Sequence, residues 1–328
     1  MTIDLTRRRL LALAGVSTTT AALAGAIRAE GLQSTGPQAA PAPLFASTTP
    51  VSVAEAALRV RDLDRMVAYY RDSIGLSIIG RDAQGARLGV DGRTLLHLIA
   101  APDAALEPPS AAGLYHIAFL MPSRAELGRW LVHAALTRIP LTGFADHAVS
   151  EAVYLDDPEG NGLEVYSDRP RETWTWQDGI VTMGTDQLDV DSLLALADTT
   201  RDTFVRAPAG MLIGHIHLRV GDVTTARGFY EQGLGLVSTR GDSRRGAAFV
   251  SSGGYHHHIA MNIWNSRGAG KRKPAETGLD WFSLRVRDRE ILAAQSERLR
   301  GAGGPVTDIA GGLEASDPWG TRVRLMGV

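Results

Sequence analysis

The chain has no cysteine. That excludes disulfides, thiolate nucleophiles and any zinc or iron–sulfur site built on sulfur ligands. It also has no excess of either charge. Thirty-four Lys and Arg against 36 Asp and Glu give a formal net charge of −2, with no long basic block. Nucleic acid is therefore not an expected partner. Beyond the first 26 residues no apolar run is long enough to span a bilayer, so no membrane partner is expected for the mature protein. What is present is ample core: 44% of the 328 residues are apolar and 21% charged, enough for two ordinary domains or one larger unit.

The N-terminus, TRRRLLALAGVSTTTAALAGA, has a basic start at Arg7, Arg8 and Arg9 and a short apolar stretch. Small residues suited to cleavage follow near Ala24 or Ala26. The Thr-Arg-Arg-x-Leu-Leu order resembles a twin-arginine export signal. Residues 1–26 are thus expected to be a signal peptide and the mature protein periplasmic. Residues 27–50, rich in Pro, Ala, Ser and Thr, are expected to be a flexible lead-in.

The rest of the chain is a repeat. VRDLDRMVAYYRDSIGLSIIGRD at 60–82 matches VGDVTTARGFYEQGLGLVSTRGD at 220–242 without a gap. Each reads as a strand, a helix opening near an Asp and a Gly where the helix stops. Leu63, Met66, Val67, Tyr70 and Ile74 share one helical face, and Asp62 and Gly75 suit its caps. Two weaker copies, LYHIAFLMPSRAELGRWL at 114–131 and LDWFSLRVRDREILAAQSERL at 279–299, follow the strong ones. The first carries a Ser123-x-x-Glu126 capping box. Both copies end alike, in DPEGNGLEV at 157–165 and DPWGTRVRL at 317–325, a type I turn before an alternating strand.

The expected fold is α+β: four βαβββ modules at roughly 51–112, 113–168, 212–272 and 277–328, with a connector at 169–211 holding one helical stretch, DVDSLLALADTTRD. No module of this size closes its own sheet, so the modules must pair into two incomplete barrels, each around a cleft.

Aligned module on module, the opening strands carry Glu55, His116, His215 and Trp281, and the final strands of modules two and four carry Glu164 and Arg324. Pairing one with two leaves the candidate ligands divided between clefts. Pairing two with three brings His116, His215 and Glu164 together with the triple histidine 256–258 beside them, and this is the pairing expected. Two histidines and one carboxylate with open positions form the facial arrangement of non-haem Fe(II) enzymes. Glu55 and Arg324 are expected to form an ion pair in the other cleft.

On DHAVSEAVYLDDPEGNGLEVY at 146–166, GHIHLRV at 214–220 and GGYHHHIAMN at 253–262, the chain resembles the catechol 2,3-dioxygenases. These are the type I extradiol enzymes of the vicinal-oxygen-chelate (glyoxalase) superfamily. The resemblance covers nearly everything after residue 50. It implies an Fe(II) ion, with Mn(II) the alternative, held by His116, His215 and Glu164. It implies a small aromatic diol and O2 as substrates, His257 as the acid–base residue, and His147 and Tyr154 as pocket hydrogen-bond donors. Further copies of the chain as partners are compatible with it. Glu55 and the altered module four depart from the family pattern, as does the export signal.

Side chains alternate along a strand. His257 is therefore expected to face the cleft while His256 and His258 meet solvent or a neighbouring module. His217 shares a face with His215 and reads as a neighbour of the site or as packing; His97 and His133 read as structural. Trp174 and Trp176 either cover the cleft or brace the connector. Alternative readings are a glyoxalase- or epimerase-like metal lyase or isomerase, a hydroquinone dioxygenase, and a non-enzymatic binding protein of the same fold.

Overall fold

Alternation of side chains decides the layers. In strand after strand one set of residues is aliphatic and packs under helices, while the other set is polar or aromatic and lines a concave face. The computed structural model describes residues 42–242 and 246–328. The expected signal peptide and most of the lead-in lie outside the described residues. The last part of the lead-in, 42–50, is not a loose tether. A single helical turn, α1 (Phe45–Thr48), buries Ala46, and Phe45 sits against Trp174 and Tyr255 at ring distances of 6.1 and 5.9 Å.

Module one comprises β1 (Val51–Val60), α2 (Leu63–Asp72), β2 (Ser77–Arg81), β3 (Gly85–Val90) and β4 (Arg93–Ala100). Module two comprises β5 (Gly113–Leu120), α3 (Arg124–Thr137), β6 (Gly143–Asp146), β7 (Ser150–Asp156) and β8 (Gly162–Asp168). The connector holds a small hairpin, β9 (Trp176–Gln177) and β10 (Ile180–Val181), and a five-residue helix, α4 (Val190–Leu194). That helix is shorter than the stretch read from sequence. Asp198 accepts from the Thr200 amide and hydroxyl at 2.9 and 2.6 Å, a local turn that competes with helix.

Module three comprises β11 (Leu212–Arg219), α5 (Val223–Arg227) running into a π turn at Gly228–Gly233, β12 (Val237–Asp242), β13 (Ala247–Ser251) and β14 (Ile259–Asn262). Module four comprises β15 (Gly278–Val286), α6 (Arg289–Gly301), β16 (Val306–Ile309), β17 (Gly312–Ser316) and β18 (Arg322–Gly327). The expected caps are in place. Asp62, Ser123 and Asp222 accept from Arg65, Glu126 and Thr225 amides. Gly75 and Gly235, equivalent in the repeat, leave their helices at φ +82° and +67°, where any side chain would be strained.

The strands form two eight-stranded curled sheets. One runs β12-β13-β14-β11-β5-β8-β7-β6 and the other β16-β17-β18-β15-β1-β4-β3-β2. Modules two and three therefore share one barrel and modules one and four the other, joined through the antiparallel pairs β5–β11 and β1–β15.

Two elements of the repeat meet each other. The second aromatic of the strong motif, Tyr70 and Tyr230, donates its hydroxyl to the aspartate of the Asp-Pro-x-Gly turn, Asp157 at 2.8 Å and Asp317 at 3.2 Å. The helix of module one is thereby latched to the turn of module two, and three is latched to four in the same way. Tyr70 and Tyr230 are fully buried. Tyr70→Phe should lower stability by about 1–3 kcal/mol, the cost of leaving a buried acceptor short of a donor, measured by urea unfolding.

Burial pushes both aspartates up to about 6, outweighing the hydrogen bonds they accept. A folded-state value above the ordinary 3.8 favours the folded protein most at low pH. That contribution is lost as pH rises through about 6. Between pH 4 and 7 the Asp157→Asn variant should therefore lose less stability with rising pH than the parent does. A difference of about 2–3 kcal/mol is expected across that window.

Candidate metal centre

The centre is built from strand register. In the β5–β8 pair Ala118 lies level with Glu164, and in the β5–β11 pair the same Ala118 lies level with His215. His116 sits two residues earlier on the same face of β5. Three side chains from three adjacent strands therefore project from one small patch. Their neighbours along the chain, Ile117, Leu163, Val165 and Ile216, project from the opposite face into the aliphatic core, which is why Glu164 lies between two apolar residues in the sequence.

The ligand atoms form a nearly equilateral triangle. His116 Nε2 lies 3.0 Å and His215 Nε2 3.1 Å from Glu164 Oε2, and the two nitrogens are 3.3 Å apart. All three side chains are buried. Ligand bonds of about 2.0–2.2 Å set at right angles span about 3 Å, so the triangle matches one face of a metal's coordination shell. Among the described residues this is the one His/Asp/Glu group with atoms close enough to share an ion.

The electrostatics agree with that use. Burial alone would push the Glu164 carboxyl up, but His215 and His116 together hold it well below the usual range. Burial takes His215 down to about 4, against the pull of Glu164. The carboxylate stays ionised and the His215 imidazole neutral at neutral pH, the protonation states a cation requires. His215 Nδ1 is buried and has no hydrogen-bond partner among the described residues. Ring packing holds this imidazole instead, with His257 at 4.2 Å and Tyr166 at 5.0 Å.

The triangle opens onto a cavity of about 670 Å³ whose wall includes all three residues together with His147, Tyr154 and His257. All six residues singled out from sequence thus share one site. Tyr154 lies level with Glu164 across the β7–β8 pair. Burial, with Glu164 nearby, raises its hydroxyl well above the usual range, so it stays protonated. His147 and Tyr154 are bonded to each other, Nε2 to hydroxyl, at 2.7 Å. His147 Nδ1 lies 2.8 Å from the Gly184 carbonyl, which only accepts, so Nδ1 carries a proton. While His147 is neutral, the Tyr154 proton is given to His147 Nε2. In that state both protons are engaged inside the protein, so the two residues are not the two independent donors expected.

The three histidines are not on a strand. They occupy the loop between β13 and β14, and all three are buried, so none meets solvent. Of the two flanking histidines, His256 meets module two, as one arm of the expectation had it, while His258 meets the segment before β1. His257 faces the cavity. His256 lies inward, 2.9 Å from Asp168. His258 donates from Nε2 to the Ala46 carbonyl at 3.0 Å and takes the Ser251 hydroxyl at Nδ1 at 2.9 Å. His258 is a tie between the loop and the segment around α1, and burial holds it neutral at about 3.

His217 also lines the cavity, with Asn262 donating to its Nε2 at 2.9 Å, and it packs 4.8 Å from the His116 ring. His133 is structural as expected, bridging Asp202 and the Asp72 carbonyl. Trp174 packs on His256 and Phe45 behind the site, whereas Trp176 is partly exposed; neither lines the cavity. The aromatic wall of Tyr115, Phe249 and Trp264 carried no repeat or motif signal and emerges only from the fold.

The other barrel holds no metal cluster among the described residues, and the expected Glu55–Arg324 pair does not form. Glu55 is bonded to His97 at 2.7 Å. His97 lies level with Ala57, the place in module one that Glu164 takes in module two. Arg324 bonds Glu314 at 2.7 Å and lies 3.9 Å over the Trp281 ring. Partners closer along the sheet satisfy both charges.

Fold and site together define a paired βαβββ protein with a two-histidine, one-carboxylate centre. The model of the Glyoxalase/Bleomycin resistance protein/Dioxygenase superfamily matches residues 52–165 and 212–325. The chain belongs to that superfamily. Each matched segment contributes one module to each sheet. The chain is 40% identical over 266 residues to a catechol-2,3-dioxygenase of Bacillus subtilis (strain 168), across 80% of this chain and 92% of that protein. Two solved structures share the fold at low identity. A protein of Bacillus subtilis subsp. subtilis str. 168 has a TM-score of 0.58 at 13% identity, covering 85% of each chain. Glyoxalase I from Zea mays has a TM-score of 0.50 at 15% identity, covering 86% of this chain and 94% of that one.

Glu164→Gln removes the one anionic ligand and leaves two imidazoles. It should weaken divalent-cation affinity by more than about 100-fold, read by calorimetric titration with Mn(II). Tyr154→Phe should leave that affinity within about threefold of the parent.

Proposed function

We propose that this chain is an extradiol dioxygenase, opening the ring of a catechol-type substrate with O2 at a mononuclear Fe(II) centre, with Mn(II) the alternative ion. The observation that carries the reading is the convergence of His116, His215 and Glu164 on a cavity that His257 also faces. The relative named catechol-2,3-dioxygenase supports the same reaction class. When bound, the ion would supply a Lewis acid for the substrate oxygens and a path for electrons from ring to O2.

The chain's own groups do the rest. His116, His215 and Glu164 would hold the ion from the sheet side, and the cavity would remain free for substrate. Tyr115, Phe249 and Trp264 offer aromatic surface on which a flat ring is bound and water excluded. His257, held neutral by burial and by His215 and His256 beside it, is placed to take a proton from a substrate hydroxyl and to return one as the ring opens. With His147 protonated, its Nε2–H is given to the Tyr154 oxygen and the Tyr154 O–H is free to donate toward an oxygen of the bound substrate. Folded export to the periplasm through the twin-arginine-like N-terminus is part of the same proposal.

The test is anaerobic reconstitution with Fe(II), followed by oxygen-electrode assays across catechols and hydroquinones. Oxygen uptake matched to ring-opened product is expected with a catechol. Turnover of hydroquinones alone would shift the substrate class, and conversion without oxygen would point to a lyase or isomerase. His257→Ala should keep its metal and lose about 10²–10⁴-fold in kcat. Retained turnover in that variant would remove His257 from the mechanism.

A further inference from the structure

His257 is the end of a chain of hydrogen bonds. Its Nδ1 lies 2.8 Å from Nδ1 of His256, and Nε2 of His256 lies 2.9 Å from Asp168 Oδ1. Asp168 closes β8, the strand that carries Glu164. Resting on the reading of His257 as the proton acceptor, we propose that Asp168 and His256 are positioning residues. They hold His257 in the tautomer whose bare Nε2 faces the cleft.

With His256 neutral, each proton along this chain has one place to go. A carboxylate only accepts, so the His256 nitrogen beside Asp168 carries a hydrogen. Neutral His256 then has a bare Nδ1. Two ring nitrogens 2.8 Å apart share one proton, and it must belong to His257 Nδ1. That leaves His257 Nε2 as the lone pair. Among the described residues no hydrogen bond occupies it, and the ring lines the cavity. A cationic His256 would reverse the outcome. Both of its nitrogens would donate, His257 would keep its proton on Nε2, and the cleft would meet a donor instead of a base.

The surroundings hold the chain of bonds in place. Tyr255 gives its hydroxyl to the same Asp168 oxygen at 3.2 Å and bonds Tyr166 at 2.8 Å. Its ring lies 4.0 Å from that of His256, and Trp174 covers His256 at 5.1 Å. His256 is fully buried, whereas the Asp168 side chain keeps 18% of its surface, so the bonds run from the cleft to the protein's edge. The loop itself is pinned by His258 on Ala46 and Ser251. The triple histidine therefore divides into a base at His257, a link at His256 and an anchor at His258.

The deciding measurement is a long-range ¹⁵N–¹H correlation spectrum of histidine-labelled protein loaded with diamagnetic Zn(II), with His257 assigned by its loss in His257→Gln. A protonated Nδ1 and a bare Nε2 are expected in the parent protein. Asp168→Ala should give a tautomer mixture, and Asp168→Asn, whose Oδ1 still accepts, should keep the parent pattern. With Fe(II), Asp168→Ala and His256→Phe should lower kcat by about 10–100-fold with KM within about threefold, and Asp168→Asn should recover most of the loss. A protonated Nε2 on His257 in the parent overturns the proposal, and so does an unchanged tautomer and kcat in Asp168→Ala. If Asp168→Ala does not fold, the parent spectrum and the Asn variant decide. The expected tautomer in a protein that turns over no diol would leave the positioning chain standing and remove only the catalytic reading.

Discussion

The structure depends on one ladder, the antiparallel pairing of β5 with β11. It joins module two to module three, and its register puts Ala118 beside His215 on one side while β8 brings Glu164 level on the other. A one-residue slip would turn His215 from the concave face into the aliphatic core. Aliphatic packing under the helices enforces the register, because Ile117, Phe119, Ile216 and Leu218 have no other place to be buried. Hydrophobic burial on one face of the sheet thus sets ligand geometry on the other.

Placing an ionised carboxylate and two imidazoles in a dry cleft is unfavourable unless they are mutually satisfied or share a cation. The second barrel shows the other resolution of the same scaffold. There the equivalent strand positions carry Glu55, His97, Trp281 and Arg324. They settle into a carboxylate–imidazole pair and a guanidinium stacked on an indole and bonded to Glu314. A guanidinium is itself a cation, so that barrel needs no metal to balance its charges. In the barrel that keeps His116, Glu164 and His215 the carboxylate is met by the two imidazoles instead.

Residues 42–50 brace the site from behind. Phe45, Ala46 and Thr49 receive Tyr255, Trp174 and His258. The loop bearing His257 is therefore braced from the N-terminal side as well as through Asp168. Rigidity of the cleft is distributed over α1, β8 and the connector, which belong to different stretches of the chain.

Much of this was legible in residue order. The repeat announced four modules. Caps at Asp62, Ser123 and Asp222 and the turns at Asp157 and Asp317 announced their elements, because these are local hydrogen-bonding signals. Equivalent positions in the repeat isolated His116, His215 and Glu164, because a shared strand position means a shared direction. Other features depended on contacts between distant segments. The Tyr70–Asp157 latch spans 87 residues. The partners of Glu55 and Arg324, the ordering of α1 and the link from Asp168 through His256 to His257 also join segments far apart. Strand-like alternation misplaced the triple histidine, since two glycines at positive φ, Gly253 and Gly254, turn the chain into a loop there. Periodicity and repeats report which face a residue takes within its own element. Which partner it meets is set by sheet pairing and burial, and those are properties of the folded chain alone.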